Sequence, residues 1–342
     1  VRSPSIIYLV TRTHGRRIHL LTPEIFKAMS KSKSLSEIVD QLLRSDYSAE
    51  IGKLPSGEID SVRLERIFLR ALVERFLAVV KDSNGKAQEF LQAYATRIEV
   101  ENLKRVLRAK HAQEEIEEQN LIPLEREETL VNFPALTKAG HVEEAVSLLR
   151  ETAYASLKDR LDAYRRVGLP IALESFLDSI YFSRVWEKME GLPGYEGLKW
   201  LVGGEVDLRN LQLIFTLKMR EIAPRLIEEM TIPVFYRLSR NTLARLVQAG
   251  LDDAPGILAG TSYTDVAEAI LRKSKEPAIN LETLLSRRLY QDASFALRNL
   301  FLESGYVVAY LLSCEREARN LITLTTALDL RISDENLQRR LF

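Results

Sequence analysis

The sequence predicts an all-α protein made of three diverged copies of one helical unit, each of roughly 110 residues. Apolar residues recur at helical spacing along almost the whole chain, and alternating β-branched runs are hard to find. A pattern acid-x-x-Asn-Leu lies on a helical stripe three times, as Glu99/Asn102/Leu103, Asp207/Asn210/Leu211 and Glu317/Asn320/Leu321, with its asparagines 108 and 110 residues apart. Upstream, Leu64-Glu65, Leu173-Glu174 and Leu281-Glu282 each open an apolar helical run, 109 and 108 residues apart. Two markers therefore keep one register through three copies. The motif alone is too short to carry this, since Glu117-x-x-Asn120-Leu121 also satisfies it; there Pro123 follows at once and no stripe continues.

Thr22 and Pro23 read as the cap and first turn of a helix, and Ser34 with Glu37 has capping-box spacing for the next. After the turn signals Pro55 and Gly57, residues 59–80 and 86–113 read as two long helices forming an antiparallel pair. Pro123 and Pro134, then Pro224 and Pro233, mark seams, so the three copies are assigned to residues 1–128, 129–236 and 237–342. The second copy has helices near 141–165, 170–190 and 195–220, with Pro170 opening the middle one. The third has them near 262–273, 279–297 and 303–330, Pro277 standing just upstream of its Leu-Glu marker, and a short helix at 333–341 follows. Gly203-Gly204 interrupts a long helix at about 1 kcal/mol per glycine, which predicts a kink or a close helix contact. A weaker echo joins three short amphipathic helices that reach Arg44, Arg150 and Arg272, at intervals of 106 and 122 that imply insertions.

Composition narrows the function. Apolar residues make up 46% and charged residues 28%, as in a folded protein, and 48 basic residues balance 48 acidic ones, so nothing pulls the whole chain toward nucleic acid. Cys314 is the single cysteine, which excludes an intramolecular disulfide and suits a reducing, cytoplasmic setting. The longest apolar run, residues 305–314, is about half of what a membrane-spanning helix needs, and residues 1–17 lack the apolar core of a secretory signal; both predict a soluble chain with no transmembrane segment of its own.

No catalytic, cofactor or metal site is predicted. His14, His19, His111 and His141 are scattered, phosphate-binding glycine loops are absent, and no nucleophile elbow occurs. Acids on helices can hold divalent metals, but each copy brings one acid, one amide and no histidine. The recurrent pairs read instead as packing keys: the asparagine bonds across a helix crossing, and the acid meets an arginine or a helix N-terminus. Glu114, Glu115, Glu117 and Glu118 read as a solvated seam or an acidic contact. Arg12, His14, Arg16 and Arg17 form a basic cluster, read either as a solvated face or as a docking surface for an acidic protein or lipid.

With these residues in place, the chain resembles the central-stalk component of archaeal and vacuolar-type rotary ATPases, known as the C subunit in the archaeal type and the d subunit in the vacuolar type. The likeness rests on "YLVTRTHGRRIHLLTPE", "LLRSDYSAEIGKL", "IEVENLKRVLRAK", "FYRLSRNTLARLVQAG" and the closing "EREARNLITLTTALDLRISDENLQRRLF", and covers nearly the whole length. It implies a funnel or bowl of three helical modules round a pseudo-threefold axis, peripheral on the cytoplasmic face of the membrane. The partners so implied are the shaft subunits and the membrane rotor ring, with no nucleic acid, small-molecule substrate, cofactor or catalysis. A non-rotary helical adaptor would use similar amphipathic helices, but such arrays repeat every 20–50 residues.

Overall fold

The computed structural model describes residues 4–55, 59–125, 128–275 and 281–332. Its elements in chain order are α1 (Pro4–Arg17), α2 (Pro23–Met29), α3 (Leu35–Leu42), α4 (Ser48–Ile51), α5 (Ser61–Lys81), α6 (Gly85–Ala95), α7 (Arg97–Ala112), α8 (Phe133–Lys138) and α9 (Val142–Ser147). They continue as α10 (Leu161–Val167), α11 (Ile171–Met189), α12 (Tyr195–Lys218), α13 (Pro224–Met230), α14 (Arg240–Gln248), α15 (Ala254–Leu258), α16 (Thr264–Lys275), α17 (Leu281–Asn299) and α18 (Ser304–Asp329). No strand occurs among the described residues, so the fold is all-α. Pro277 and the helix expected at 333–341 lie outside the described residues.

Local signals set many of these ends. Asp60, Asn132 and Ser239 each accept the backbone N–H three residues on, at 2.7, 3.2 and 3.1 Å, and start α5, α8 and α14. Such caps stabilise a helix by about 1 kcal/mol each. Ser34 caps α3 as expected, accepting from Glu37 N at 3.3 Å, but the Glu37 carboxylate reaches back to Lys33 N at 3.0 Å, one residue beyond the cap. Gly168 ends α10 with φ +66°, a left-handed geometry that glycine adopts without a Cβ clash.

The chain divides into two compact units, Val1–Gln88 with Tyr290–Phe342, and Glu89–Leu289. In the first unit α18 lies along α5 and also meets α1 and α3. Leu64 and Phe68 of α5, Leu321 and Leu324 of α18, and Ile38 and Leu42 of α3 share one buried cluster. The antiparallel pair expected of 59–80 and 86–113 gives way to a different arrangement. The second stretch is two helices, α6 and α7, meeting at Thr96, while the apolar face of α5 is completed by α18, from the far end of the chain.

In the second unit α11 packs against α7, α10, α12 and α13, while α12 also meets α14. The stretch expected as one helix over 141–165 is α9, a 3-10 segment at Ala155–Arg160, and α10. Helix α12 runs through Gly203-Gly204 without a break, and its glycines serve close contact. A Cβ on Gly203 would sit 2.5 Å from Tyr236 Cγ and 2.7 Å from Tyr236 Cβ. Those atoms lie next to the backbone, so the ring cannot swing aside. Gly203→Ala is therefore expected to destabilise by about 1–3 kcal/mol despite the better helix propensity of alanine, read as a lower urea midpoint.

Candidate functional site

The three acid–asparagine pairs sit on α7, α12 and α18. Asn102 and Asn210 are buried and make the same two bonds. Asn102 Nδ2 donates to Ile122 O at 2.8 Å and its Oδ1 accepts from Ile122 N at 2.7 Å. Asn210 does so with Ile232, at 3.2 and 2.8 Å. One amide thus satisfies both polar groups of an isoleucine that precedes a proline, Pro123 or Pro233, at each seam. Asn320 is likewise buried, on α18. Leu103, Leu211 and Leu321, one residue after each asparagine, are all core residues.

Each acid accepts a tyrosine hydroxyl. Tyr154 donates to Glu99 Oε1 at 2.6 Å, Tyr263 to Asp207 Oδ2 at 2.9 Å and Tyr47 to Glu317 Oε1 at 2.8 Å. The remaining partners differ. Glu99 Oε2 takes the Thr129 hydroxyl, while Asp207 Oδ2 also accepts Arg237 N at 3.0 Å and Leu238 N at 3.3 Å. Glu317 pairs with Arg75 at 2.6 Å and accepts Leu21 N at 2.5 Å. Glu317 is thus a buried ion pair, and its carboxylate adds to desolvation in raising the Tyr47 hydroxyl pKa.

The tyrosines are a marker that the helical patterning does not reveal. Ser45, Thr152 and Thr261 each donate a hydroxyl to the carbonyl three residues back, Leu42, Leu149 or Leu258, at 2.6 to 2.7 Å. The same hydroxyls accept the amide of the tyrosine two residues on, at 3.1 to 3.3 Å. Tyr47, Tyr154 and Tyr263 are 107 and 109 residues apart. The echo ending at Arg272 is corrected accordingly: that arginine lies in α16, after Tyr263, and the counterpart of Leu42 and Leu149 is Leu258. The three turns are thus nearly evenly spaced, with no large insertion between them. The signal available was Leu-x-x-Ser/Thr-x-Tyr, a pattern without a hydrophobic period.

Asp207 is the least compensated of the three acids. It is fully buried, its Oδ1 has no hydrogen-bond partner, and desolvation pushes its pKa up to about 6 against the backbone and tyrosine bonds that lower it. A carboxyl raised in the folded state favours folding below its unfolded pKa of about 4, and that advantage is lost as pH rises through about 6. Asp207→Asn should remove this slope and leave the protein at least as stable as the parent at alkaline pH, as read from urea denaturation at pH values on either side of 6.

The other candidate residues are occupied structurally. His14 stacks on Tyr306 at 4.0 Å, His19 meets Asp46, His111 bonds Tyr164, and His141 caps α9. Burial pushes the Cys314 thiol up to about 12, away from nucleophile chemistry. Among the described residues no group of three or more His, Cys, Asp or Glu could hold a metal ion, and no helix is long and apolar enough to cross a membrane. Arg12 and Arg16 both pair with Asp82, and Arg17 donates to Leu297 O and Tyr306. Much of that basic cluster therefore fastens α1 within its own unit. Glu114, Glu115, Glu117 and Glu118 are exposed.

The family model described as ATP synthase (C/AC39) subunit matches residues 9–340. The chain belongs to that family. Among curated relatives of the ATP synthase C/AC39 family it is similar to the A-type ATP synthase C subunit of Methanobrevibacter smithii, 30% identical over 86% of this chain and 79% of that protein. The A-type C subunit of Methanosarcina mazei is 26% identical over 99% and 93%, and that of Methanothermobacter thermautotrophicus 25% over 84% and 77%. Membership of the C/AC39 family makes the chain a subunit of an archaeal or vacuolar-type ATPase.

Proposed function

We propose that the chain is the non-catalytic central-stalk subunit that couples the shaft to the membrane rotor ring and passes torque between them. Three modules, divided near residues 128 and 236 and arranged as a funnel round a pseudo-threefold axis, form a stiff socket on the cytoplasmic face of the membrane. The observation that carries this reading is the recurrence of one acid–tyrosine lock on three helices, buried at Asp207 and Glu317 and half-buried at Glu99. A carboxylate held by a tyrosine and further donors resists sliding of its helix, because any shift leaves buried polar groups unpaired. Glu99, Asp207 and Glu317 with Asn102, Asn210 and Asn320 are thus structural keys, and Leu103, Leu211 and Leu321 anchor the same helices in the core. Family membership supplies the machine in which such stiffness is useful.

The test is affinity purification of the tagged chain from gently solubilised membranes. Shaft and ring subunits are expected together; recovery with unrelated partners would support a helical adaptor instead. In the reconstituted complex, Asn102→Ala, Asn210→Ala and Asn320→Ala combined should lower ion transport per ATP. Unchanged coupling would reject the torque role of the keys.

A further inference from the structure

The turn between α17 and α18 departs from its counterparts. After the other two Leu-Glu helices, α5 and α11, the connecting turns keep large apolar side chains out of water: residues 82–84 include none, and within 190–194 Leu192 is buried. At 300–303, by contrast, Phe301 is 52% exposed and Leu302 42%. A turn that closes twice without an exposed apolar tip does not need one for its fold, so the pair has a use outside the packing of the long helices.

This tip is fastened to α1. His14 Nε2 donates to Phe301 O at 2.9 Å, and Arg17 donates to Leu297 O at 3.3 Å. Ile18, the residue after Arg17, is 80% exposed. The α5–α6 turn adjoins the same helix through Asp82, which takes both Arg12 and Arg16. The charge on these three segments, residues 12–18, 81–86 and 298–303, is one-sided. Helix α1 brings Arg12, Arg16 and Arg17, and the two turns add Lys81, Lys86 and Arg298. Against them stand Asp82 and Glu303, so four positive charges are left over even with His14 neutral. Arg17, Lys81, Lys86 and Arg298 form no ion pair among the described residues.

We propose that this corner of the first unit docks on an anionic bilayer surface, with Phe301 and Leu302 entering the headgroup region and the surrounding Lys and Arg side chains meeting lipid phosphates. A turn between two helices is convex. A bilayer interface admits a convex apolar tip without a preformed pocket, whereas a polypeptide is held in a groove or along a sheet edge. The inference rests on the corner alone; it applies to the free chain and does not depend on the rotor reading.

The test sediments the full chain with vesicles of phosphatidylcholine alone and of phosphatidylcholine mixed with phosphatidylglycerol. Binding should favour the anionic vesicles by at least about tenfold and weaken as salt rises. Each Lys or Arg near such a surface is worth about fivefold in affinity, so Lys81→Gln, Lys86→Gln and Arg298→Gln together should cost on the order of a hundredfold. Phe301→Ser with Leu302→Ser should weaken binding by at least about tenfold without touching charge. All five side chains are exposed, so thermal melts of both variants should match the parent. Leu302→Cys carrying an environment-sensitive dye should shift to the blue on anionic vesicles, whereas Leu330→Cys, exposed at the opposite end of α18, should not; the native Cys314 is buried and stays unlabelled. Equal binding to the two kinds of vesicle, or binding unmoved by either set of substitutions, would overturn the proposal, as would capture of a soluble acidic helical peptide in place of vesicles.

Discussion

Glu317→Ala is expected to destabilise the first unit by about 3–5 kcal/mol, among the largest effects of any single substitution in this chain. The carboxylate is 3% exposed and its partner Arg75 12%, so removing it strands a guanidinium away from water. It also strands the Tyr47 hydroxyl and the Leu21 amide, both of which end on the same side chain. Glu317→Gln separates charge from shape: it retains an acceptor for Tyr47 but leaves Arg75 uncompensated, and should recover only part of the loss. Replacing both partners with apolar residues, as in Arg75→Met with Glu317→Leu, should cost less than Glu317→Ala, because no buried charge is left alone. Urea denaturation of the four proteins checks this. A double variant less stable than Glu317→Ala would mean that the pair contributes more than the desolvation it suffers.

The second large effect is expected at Asn210. Its side chain is the partner of both the amide and the carbonyl of Ile232, and neither can turn to water because the isoleucine is buried. Asn210→Ala orphans both groups at about 1–3 kcal/mol each, so a loss of roughly 2–6 kcal/mol follows. Hydrogen exchange gives a local check: the Ile232 amide should lose protection while that of Ile122, held by Asn102, keeps it. Asn102→Ala should reverse the pattern. A uniform loss of protection across both seams would show that the asparagines act on the whole unit instead of on their own isoleucines.

The helices are legible in the sequence where burial follows a helical period. Residues 195–220, 279–297 and 303–330 are realised as α12, α17 and α18 to within about two residues, the usual scatter of helix ends. Glu317 and Asp207 stand out because water-loving groups sit on apolar stripes, and both are indeed buried. What they bind is not legible. Tyr47 and Glu317 are 270 residues apart, and a periodic pattern says which face of a helix is covered without naming what covers it. The same blindness explains α5, whose stripe predicts a helical partner but whose partner comes from the far end of the chain. The Ser/Thr-x-Tyr turn is invisible to periodicity because hydroxyl bonds to neighbouring backbone leave no hydrophobic signature. Gly203-Gly204 carries two opposite readings, and only the position of Tyr236 decides for close contact over a kink.

Because α18 closes the core begun by α2, α3 and α5, the order of synthesis matters. A ribosome has finished α5 long before Glu317 appears, 242 residues after Arg75. At roughly 5–20 residues per second the nascent opening helices wait on the order of 12–50 s with an uncovered apolar face. The intervening residues 89–289, which hold their own contacts, can settle first. Biogenesis of this chain thus carries a built-in delay during which its earliest part is most open to chaperones and to misassociation.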